Sequence, residues 1–394
     1  MHLSHLVLND FRNFKHLDLP LGRGLSLFYG ENAQGKTNLL EAVSMLATSN
    51  SFHATSDREV VNWDAPDRIA RIIADIERGE DEVKVEIVII DASPIDANGE
   101  SAYASQLQTP DRQRKRIKIN GGIKKATDLI GQVTVVLFAP TDLRLVDGSP
   151  EDRRRFLDRA LCQVQPRYCA ALARYRKVIT QRSALLKRIR ENQEDPRMLE
   201  FLDEKLIELA SQIIYERQRM VRALNTHVDG LQTLISGGRE GLQIVYRPAF
   251  EVDPAWNTLD AQEHYRRQLH AARRKEIQQG VCLLGPHRDD LDFMANDVNL
   301  LTYGSRGQQR TAALSAKLAE LEFMRATTGE EPILLLDDVF SELDAARREY
   351  LLRLALDHEQ ALVTATDMTG IPEEMLAQIH RFSVVAGEIT HTHF

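Results

Sequence analysis

Cysteine is scarce. Only three occur in 394 residues, Cys162, Cys169 and Cys282. An odd number at spacings that match no zinc pattern argues against a disulfide framework, and a reducing cytoplasm is the expected setting. Long apolar runs are missing too. Without a stretch of about 18 such residues, no membrane-spanning helix is expected. The opening MHLSHLVLNDF is broken by polar residues every few positions, which does not fit a secretory signal. No internal repeat is visible. A basic balance is also lacking: 50 Lys and Arg against 58 Asp and Glu give −8, so the chain as a whole does not advertise nucleic-acid binding. What remains, 43% hydrophobic and 27% charged residues, is the make-up of a soluble globular protein. Its length suits two domains, or one large domain with an insertion.

Positive charge is instead local. Arg112-Gln113-Arg114-Lys115-Arg116-Ile117-Lys118, followed by Lys124 and Lys125, contains no acid. It reads either as a solvated loop or as a phosphate-facing surface. Residues 91–112, rich in Ser, Ala, Gly, Pro and Gln, read as a surface loop. Residues 151–235 read as a helical hairpin about 50 Å long at about 1.5 Å per residue. One apolar stripe runs Leu157, Leu161, Val164, Tyr168, Leu172, Tyr175, Ile179, Leu186, Ile189. A second runs Leu199, Leu202, Leu206, Leu209, Ile213, Met220, Leu224, Val228. Pro196 lies in the break between them. The first limb carries many arginines and lysines, so one face packs and another is positive. Charge reversal at Arg174, Lys177 and Arg182 is expected to weaken DNA binding if that face meets phosphates. The alternative is that these residues only keep the hairpin soluble.

Residues 25–29, 69–76, 83–90 and 133–138 read as strands. A helix is expected from about Ser305 to Arg325, a strand over 333–337, a helix from about Ala345 and a strand over 361–364. Strand–helix–strand order predicts a parallel sheet.

Three motifs carry chemistry. Gly30-Glu31-Asn32-Ala33-Gln34-Gly35-Lys36-Thr37 fits G-x-x-x-x-G-K-[ST], between a strand ending at Tyr29 and a helix starting near Lys36. Backbone N–H groups and the helix N-terminus would hold phosphates. Lys36 would reach the β- and γ-phosphates, and the Thr37 hydroxyl would ligate Mg²⁺. The apolar strand Ile333-Leu334-Leu335-Leu336 then ends in two acids. Asp337 is assigned to the metal and Asp338 to polarising the attacking water. Asp is one methylene shorter than the Glu common at that second place, so slow hydrolysis is expected. A turnover on the order of 100 per second would refute it. Third, Tyr303-Gly304-Ser305-Arg306-Gly307-Gln308-Gln309-Arg310 opens a helix with a hydroxyl and free N–H groups, a second anion site or an ordinary N-cap. It lies about 30 residues before the acidic strand, and Ser341-Glu342-Leu343-Asp344 follows that strand.

Four motifs in this order resemble the ABC ATPases, and the rest of the chain resembles the RecF family in the group that also holds Rad50 and SMC proteins. The specific pieces are Asp10-Phe11-Arg12-Asn13-Phe14, the octet at 30–37, Phe138-Ala139-Pro140-Thr141-Asp142-Leu143, Gly148-Ser149-Pro150 with the arginines at 153–155, Gly285-Pro286-His287-Arg288-Asp289-Asp290-Leu291, and the last two motifs above. The resemblance implies an α/β fold. It is an ABC-type ATPase head of mixed sheets with flanking helices over 1–150 and 280–394, with an inserted helical arm over 151–279. It implies ATP and Mg²⁺ as cofactors, and an ATP-dependent homodimer in which Ser305 and Gly307 of one subunit meet the γ-phosphate held at Lys36 of the other. It implies a clamp on double-stranded DNA near single-strand junctions, released by hydrolysis, with RecR and RecO as partners in loading RecA onto gapped DNA. Arg12 would contact the nucleotide. Arg114, Lys115, Arg116, Arg174, Lys177 and Arg182 are the DNA candidates. No switch histidine follows 361–364; Thr366 or Asp367 stands there instead, and Gln132 is the glutamine-loop candidate by position. His287 is expected to brace the sheet beside the nucleotide. A competing reading is a scaffold that binds ATP but hardly hydrolyses it. A transporter subunit is disfavoured by the missing histidine and by the basic helical arm.

Overall fold

The computed structural model describes residues 1–91, 115–250, 253, 258–369 and 371–392. They form two compact units, Met1–Pro140 with Thr328–Phe394, and Thr141–Thr327.

In the first unit two six-stranded sheets enclose a helix. One sheet has the order β2-β1-β4-β5-β6-β7, every neighbouring pair antiparallel. Its strands are β1 (His2–Phe11), β2 (Phe14–Pro20), β4 (Ile69–Arg78), β5 (Asp81–Ile90), β6 (Lys115–Ile119) and β7 (Gly122–Lys124). Strands β4 and β5 alternate: Ala70, Ile72, Ala74 and Ile76, with Val85, Ile87 and Ile89, are buried while their neighbours are not. That period of two marks a sheet with one covered face.

The other sheet has the order β15-β14-β3-β13-β12-β8. It comprises β3 (Gly24–Tyr29), β8 (Val135–Phe138), β12 (Ile333–Asp337), β13 (Gln360–Ala365), β14 (His380–Val385) and β15 (Glu388–His391). Strands β14, β3, β13, β12 and β8 run parallel and only β15 is antiparallel. Every residue of β8, β12 and β13 is buried, which is why these segments read as unbroken apolar runs. Between the sheets lies α1 (Lys36–Thr48), its Leu39, Leu40, Val43, Met45 and Leu46 in one core with both. The short α2 (Ala126–Leu129) precedes β8; α9 (Ala345–Asp357) joins β12 to β13, and α10 (Glu373–Leu376) leads to β14.

The second unit is mainly helical: α3 (Pro150–Val164), α4 (Pro166–Arg190), α5 (Leu199–Ile235), α6 (Thr258–Gln279), α7 (Leu300–Tyr303) and α8 (Arg306–Thr328), the last ending at the border. A three-stranded sheet, β9 (Gln243–Arg247), β10 (Asp290–Ala295) and β11 (Val298–Asn299), is antiparallel in the order β11-β10-β9. Pairing of β9 with β10 ties residues 290–295 to the helical part of this unit. The expected first limb is two helices, because Gln165 leaves helical geometry and Pro166 opens α4. The apolar stripe of α5 holds, with one exception: Arg217 occupies the place between Ile213 and Met220 and is 2% exposed. Among the described residues no helix is long and apolar enough to cross a membrane.

Candidate functional site

The phosphate loop leaves β3 and enters α1 as expected. Gly30 lies so close to the carbonyl of Val384 that a Cβ would collide with it, and Gly35, at φ +113, has Asn13 where a Cβ would stand. Both positions therefore require glycine. Ala33 holds φ +64, a left-handed conformation that turns the loop. Lys36 is 6% exposed, its ammonium donating to the carbonyls of Gly30 (2.6 Å) and Glu31 (2.7 Å). Burial pushes its pKa down, against the opposing charges of Asp338 and Asp337. Glu31, Asn32 and Ala33 are exposed at the rim.

Chain segments 300 residues apart meet beside this lysine. The Thr37 hydroxyl donates to Asp337 Oδ1 at 2.9 Å. Asp338 follows in a left-handed conformation, φ 49. Burial raises its pKa, with the charges of Asp337 and Glu342 adding and Lys36 opposing. A cavity of about 130 Å³ is lined by Asn32, Ala33, Gly35, Lys36, Thr37, Asn38, Asp337 and Asp338. A hydroxyl and a carboxylate on one spot suit Mg²⁺, which takes one or two protein oxygens and fills its octahedron with phosphate and water. No three-residue His/Cys/Asp/Glu cluster is needed, and none occurs among the described residues.

Sequence reasoning passed over Thr364. Fully buried on β13, it donates to Asp337 Oδ1 (2.8 Å) and accepts from the Asp338 amide (3.0 Å). It thus fixes the direction of one acid and the backbone of the other. Thr366 and Asp367 lie beyond it and are exposed, and Asp367 accepts from the Thr369 amide at 2.7 Å. A hydroxyl on the neighbouring parallel strand was the available signal.

The remaining candidates are placed unequally, and Gln132 and Arg182 do not stand where they were expected. Arg12 lies in the turn between β1 and β2 and forks onto the buried carboxylate of Glu41 (2.7 and 2.8 Å) while reaching the Glu59 carbonyl (2.9 Å). Three of its five N–H donors are thereby used. Gln132 precedes β8, whereas the phosphate loop follows β3. Because the strands are parallel, Gln132 sits at the opposite edge of the sheet, about 13 Å away along the four residues of β8. Arg182 cannot face a phosphate: it is 0% exposed and held by Asp203 (2.7 Å) and Glu276 (2.7 Å). Lys115 is bound to Asp57 (2.7 Å) and to the Ser49 carbonyl, which leaves it little freedom for DNA. Arg116, Arg174 and Lys177 are exposed. Arg112 and Arg114 lie outside the described residues.

Ser305 and Gly307 belong to the second unit. The Ser305 hydroxyl accepts from the Gln308 amide (3.2 Å) and the Gln308 side chain accepts from the Ser305 amide (2.8 Å), a reciprocal cap on α8. Val298, Leu301 and Tyr303, just before it, are exposed.

His287 braces a helix of this unit instead of a nucleotide sheet. Its Nδ1 lies 2.6 Å from the Tyr175 hydroxyl and Nε2 3.4 Å from the Cys282 carbonyl. Burial pushes its pKa from 6.5 down to about 4. Folding holds it neutral, so the stability this brings is complete above pH 6.5 and is lost as pH falls towards 4, at most about 3 kcal/mol. Thermal unfolding between pH 7.5 and 4.5 is expected to fall less steeply for His287→Gln than for the wild type. Parallel pH profiles would contradict this.

Comparison with known proteins agrees with the geometry. Residues 2–389 match the model of the RecF/RecN/SMC N terminal domain. The chain is 42% identical over 400 residues to the DNA replication and repair protein RecF of Chloroflexus aurantiacus, covering 99% of each. Its fold is similar to solved structures of the recombination mediator protein RecF of the RecFOR pathway. One, with ATPrS, has a TM-score of 0.86 at 30% identity over 100% of this chain and 98% of that one. The other, with ATP, has 0.85 at 30% identity, covering 99% and 97%.

Proposed function

Because the chain belongs to the RecF family of DNA replication and repair proteins, we propose that it is an ATP-switched clamp on double-stranded DNA near single-strand junctions. The observation that carries this is the meeting of Lys36, Thr37, Asp337 and Asp338 around a cavity of about 130 Å³. Ligand pockets are usually about 300–1,000 Å³, so this one takes phosphates and leaves the rest of a nucleotide to be covered by something else. A second copy supplies that cover in our reading, through Ser305 and Gly307. The exposed Val298, Leu301 and Tyr303 beside them are apolar surface of the kind that marks protein contacts. The relatives solved with ATP and ATPrS support the ligand.

In this mechanism Lys36 exchanges the carbonyls of Gly30 and Glu31 for the β- and γ-phosphates. Thr37 and Asp337 would hold Mg²⁺, which neutralises phosphate charge when bound. Thr364 keeps Asp337 and Asp338 in place, and Asp338 orients the attacking water and takes up its proton. One acid, one methylene shorter than Glu, makes hydrolysis slow, and hydrolysis opens the dimer and releases DNA. RecR and RecO are the expected partners, in line with the pathway named for the neighbours, and the complex would load RecA onto gapped DNA. Residues 1–150 and 280–394 act as the ATPase head and 151–279 as the arm.

With Arg182 removed, the DNA surface of the arm reduces to Arg174 and Lys177 on the exposed side of α4, with Arg116 in the first unit. The double variant Arg174→Glu, Lys177→Glu is expected to weaken duplex binding and to lower the slope of log affinity against log salt by about one per lost phosphate contact. Unchanged affinity between 50 and 200 mM salt, about the range over which phosphate contacts are felt, would remove this face from the DNA path.

A further inference from the structure

The phosphate loop is tied to two turns far from it in sequence. The carbonyl of Gln34 accepts from the Asn13 side-chain amide (2.8 Å), in the β1–β2 turn, and from the Gly387 amide (3.0 Å), in the β14–β15 turn. The Gln34 side-chain oxygen accepts from the Ala386 amide at 2.6 Å. Asn38, in the first turn of α1, donates to Asn13 Oδ1 at 2.8 Å. The Gln34 carbonyl can only accept, so the Asn13 amide turns its nitrogen to it and its oxygen to Asn38.

The consequence follows from peptide geometry. A trans peptide places its C=O and N–H on opposite sides of a plane. Two donors hold the Gln34 oxygen towards the turns, so the N–H of Gly35 is turned the other way. Gly35 lines the phosphate cavity. With those donors lost, the 34–35 peptide is free to rotate and the cradle loses an aimed N–H.

We propose that Asn13, together with the C-terminal hairpin turn at Ala386 and Gly387, is a positioning device for nucleotide phosphates. In this role Asn13 need not touch the nucleotide. It sets the orientation of the peptide that does, and the last hairpin of the chain belongs to the nucleotide-binding machinery. The inference rests on the reading that residues 30–37 bind ATP.

The test uses the full-length chain. ATP and ADP affinities are measured for wild type, Asn13→Ala, Asn13→Asp and Gln34→Ala, with hydrogen exchange of the 30–37 amides and thermal unfolding in the absence of nucleotide. Asn13→Ala is expected to weaken both nucleotides by about tenfold, the loss of one well-made hydrogen bond. It is expected to speed exchange across 30–37 while the unfolding temperature stays within a few degrees. Asn13→Asp is expected to do worse, since a carboxylate would face the Gln34 carbonyl. Affinities within twofold of wild type with unchanged exchange would overturn the proposal. Should Asn13→Ala not fold, Gln34→Ala decides. It deletes the anchor to Ala386 together with a long 3.4 Å bond from Nε2 to the Asn32 carbonyl and is expected to weaken ATP by about threefold, and an unchanged affinity would overturn the role of the hairpin turn. Failure of the wild type to bind ATP would instead overturn the reading of the loop itself.

Discussion

Replacing Lys36 by alanine is expected to raise the dissociation constant for ATP by about a hundredfold or more. The estimate comes from two charge-assisted hydrogen bonds to phosphate, each of about 1.5–3 kcal/mol, against about 1.4 kcal/mol per factor of ten. The side chain is almost fully buried, and its ammonium donates to two loop carbonyls. The ammonium is thus held in the loop before any ligand arrives, and little ordering remains to be done on binding. Burial lowers its pKa while Asp338 and Asp337 oppose that shift, and an incoming triphosphate would favour the charged form further. Calorimetric titration checks the prediction. An affinity within threefold of wild type would mean that the phosphates lie elsewhere.

Arg217→Ala is expected to destabilise the helical unit by about 3–5 kcal/mol, the cost of breaking a buried ion pair by removing one partner. This is a large share of the roughly 5–15 kcal/mol that holds a domain folded. The guanidinium lies on the buried stripe of α5. It donates to Asp158 on α3 (2.8 and 3.1 Å), to Asp289 (3.1 Å), to the Pro286 carbonyl (2.7 Å) and to the Tyr168 hydroxyl on α4 (3.1 Å). Tyr168 in turn donates to Asp158, and Tyr246 on β9 to Asp289. Three helices, a strand and the 285–291 segment therefore close on one planar cation. Arg217→Lys is expected to be nearly as damaging, because an ammonium on a flexible stem cannot reproduce the planar fork. Urea unfolding followed by helical signal measures it, and a loss below about 1 kcal/mol, the size of an exposed pair, would contradict the cluster's role.

The same cluster shows which parts of the molecule sequence could reveal. The phosphate loop and the acidic strand are local patterns. Glycines forced by close approach at 30 and 35, and an apolar run ending in Asp337, leave their mark within ten residues. The parallel sheet followed from strand–helix–strand order for the same reason. Charged side chains are different. Arg174 and Lys177 on α4 are exposed while Arg182 is buried on the packed side of the helix with Tyr175, Val178 and Leu185, where a charge needs partners that the helix itself does not contain. The difference is made by Asp203 and Glu276, 21 and 94 residues away. Arg217 was hidden likewise, although its interruption of an otherwise apolar stripe was a visible anomaly. Arg12 pairs with Glu41 across 29 residues, and Thr364 bridges two acids from the neighbouring strand. Gln132 could have been excluded from the outset, since the residue before a strand and the loop after a parallel one lie at opposite edges. The helix break at Pro166 was equally legible in the proline itself.

The central claim is that the nucleotide site is completed by a second copy of the chain. Sedimentation equilibrium of the full-length protein with Mg²⁺, with and without ATP, tests it most directly. The account predicts a monomer without nucleotide and a dimer with ATP. It also predicts a monomer in both conditions for Lys36→Ala, and likewise for Ser305→Arg even when ATP is bound. A dimer of equal strength with and without ATP, or an ATP-dependent dimer that survives Ser305→Arg, would contradict it.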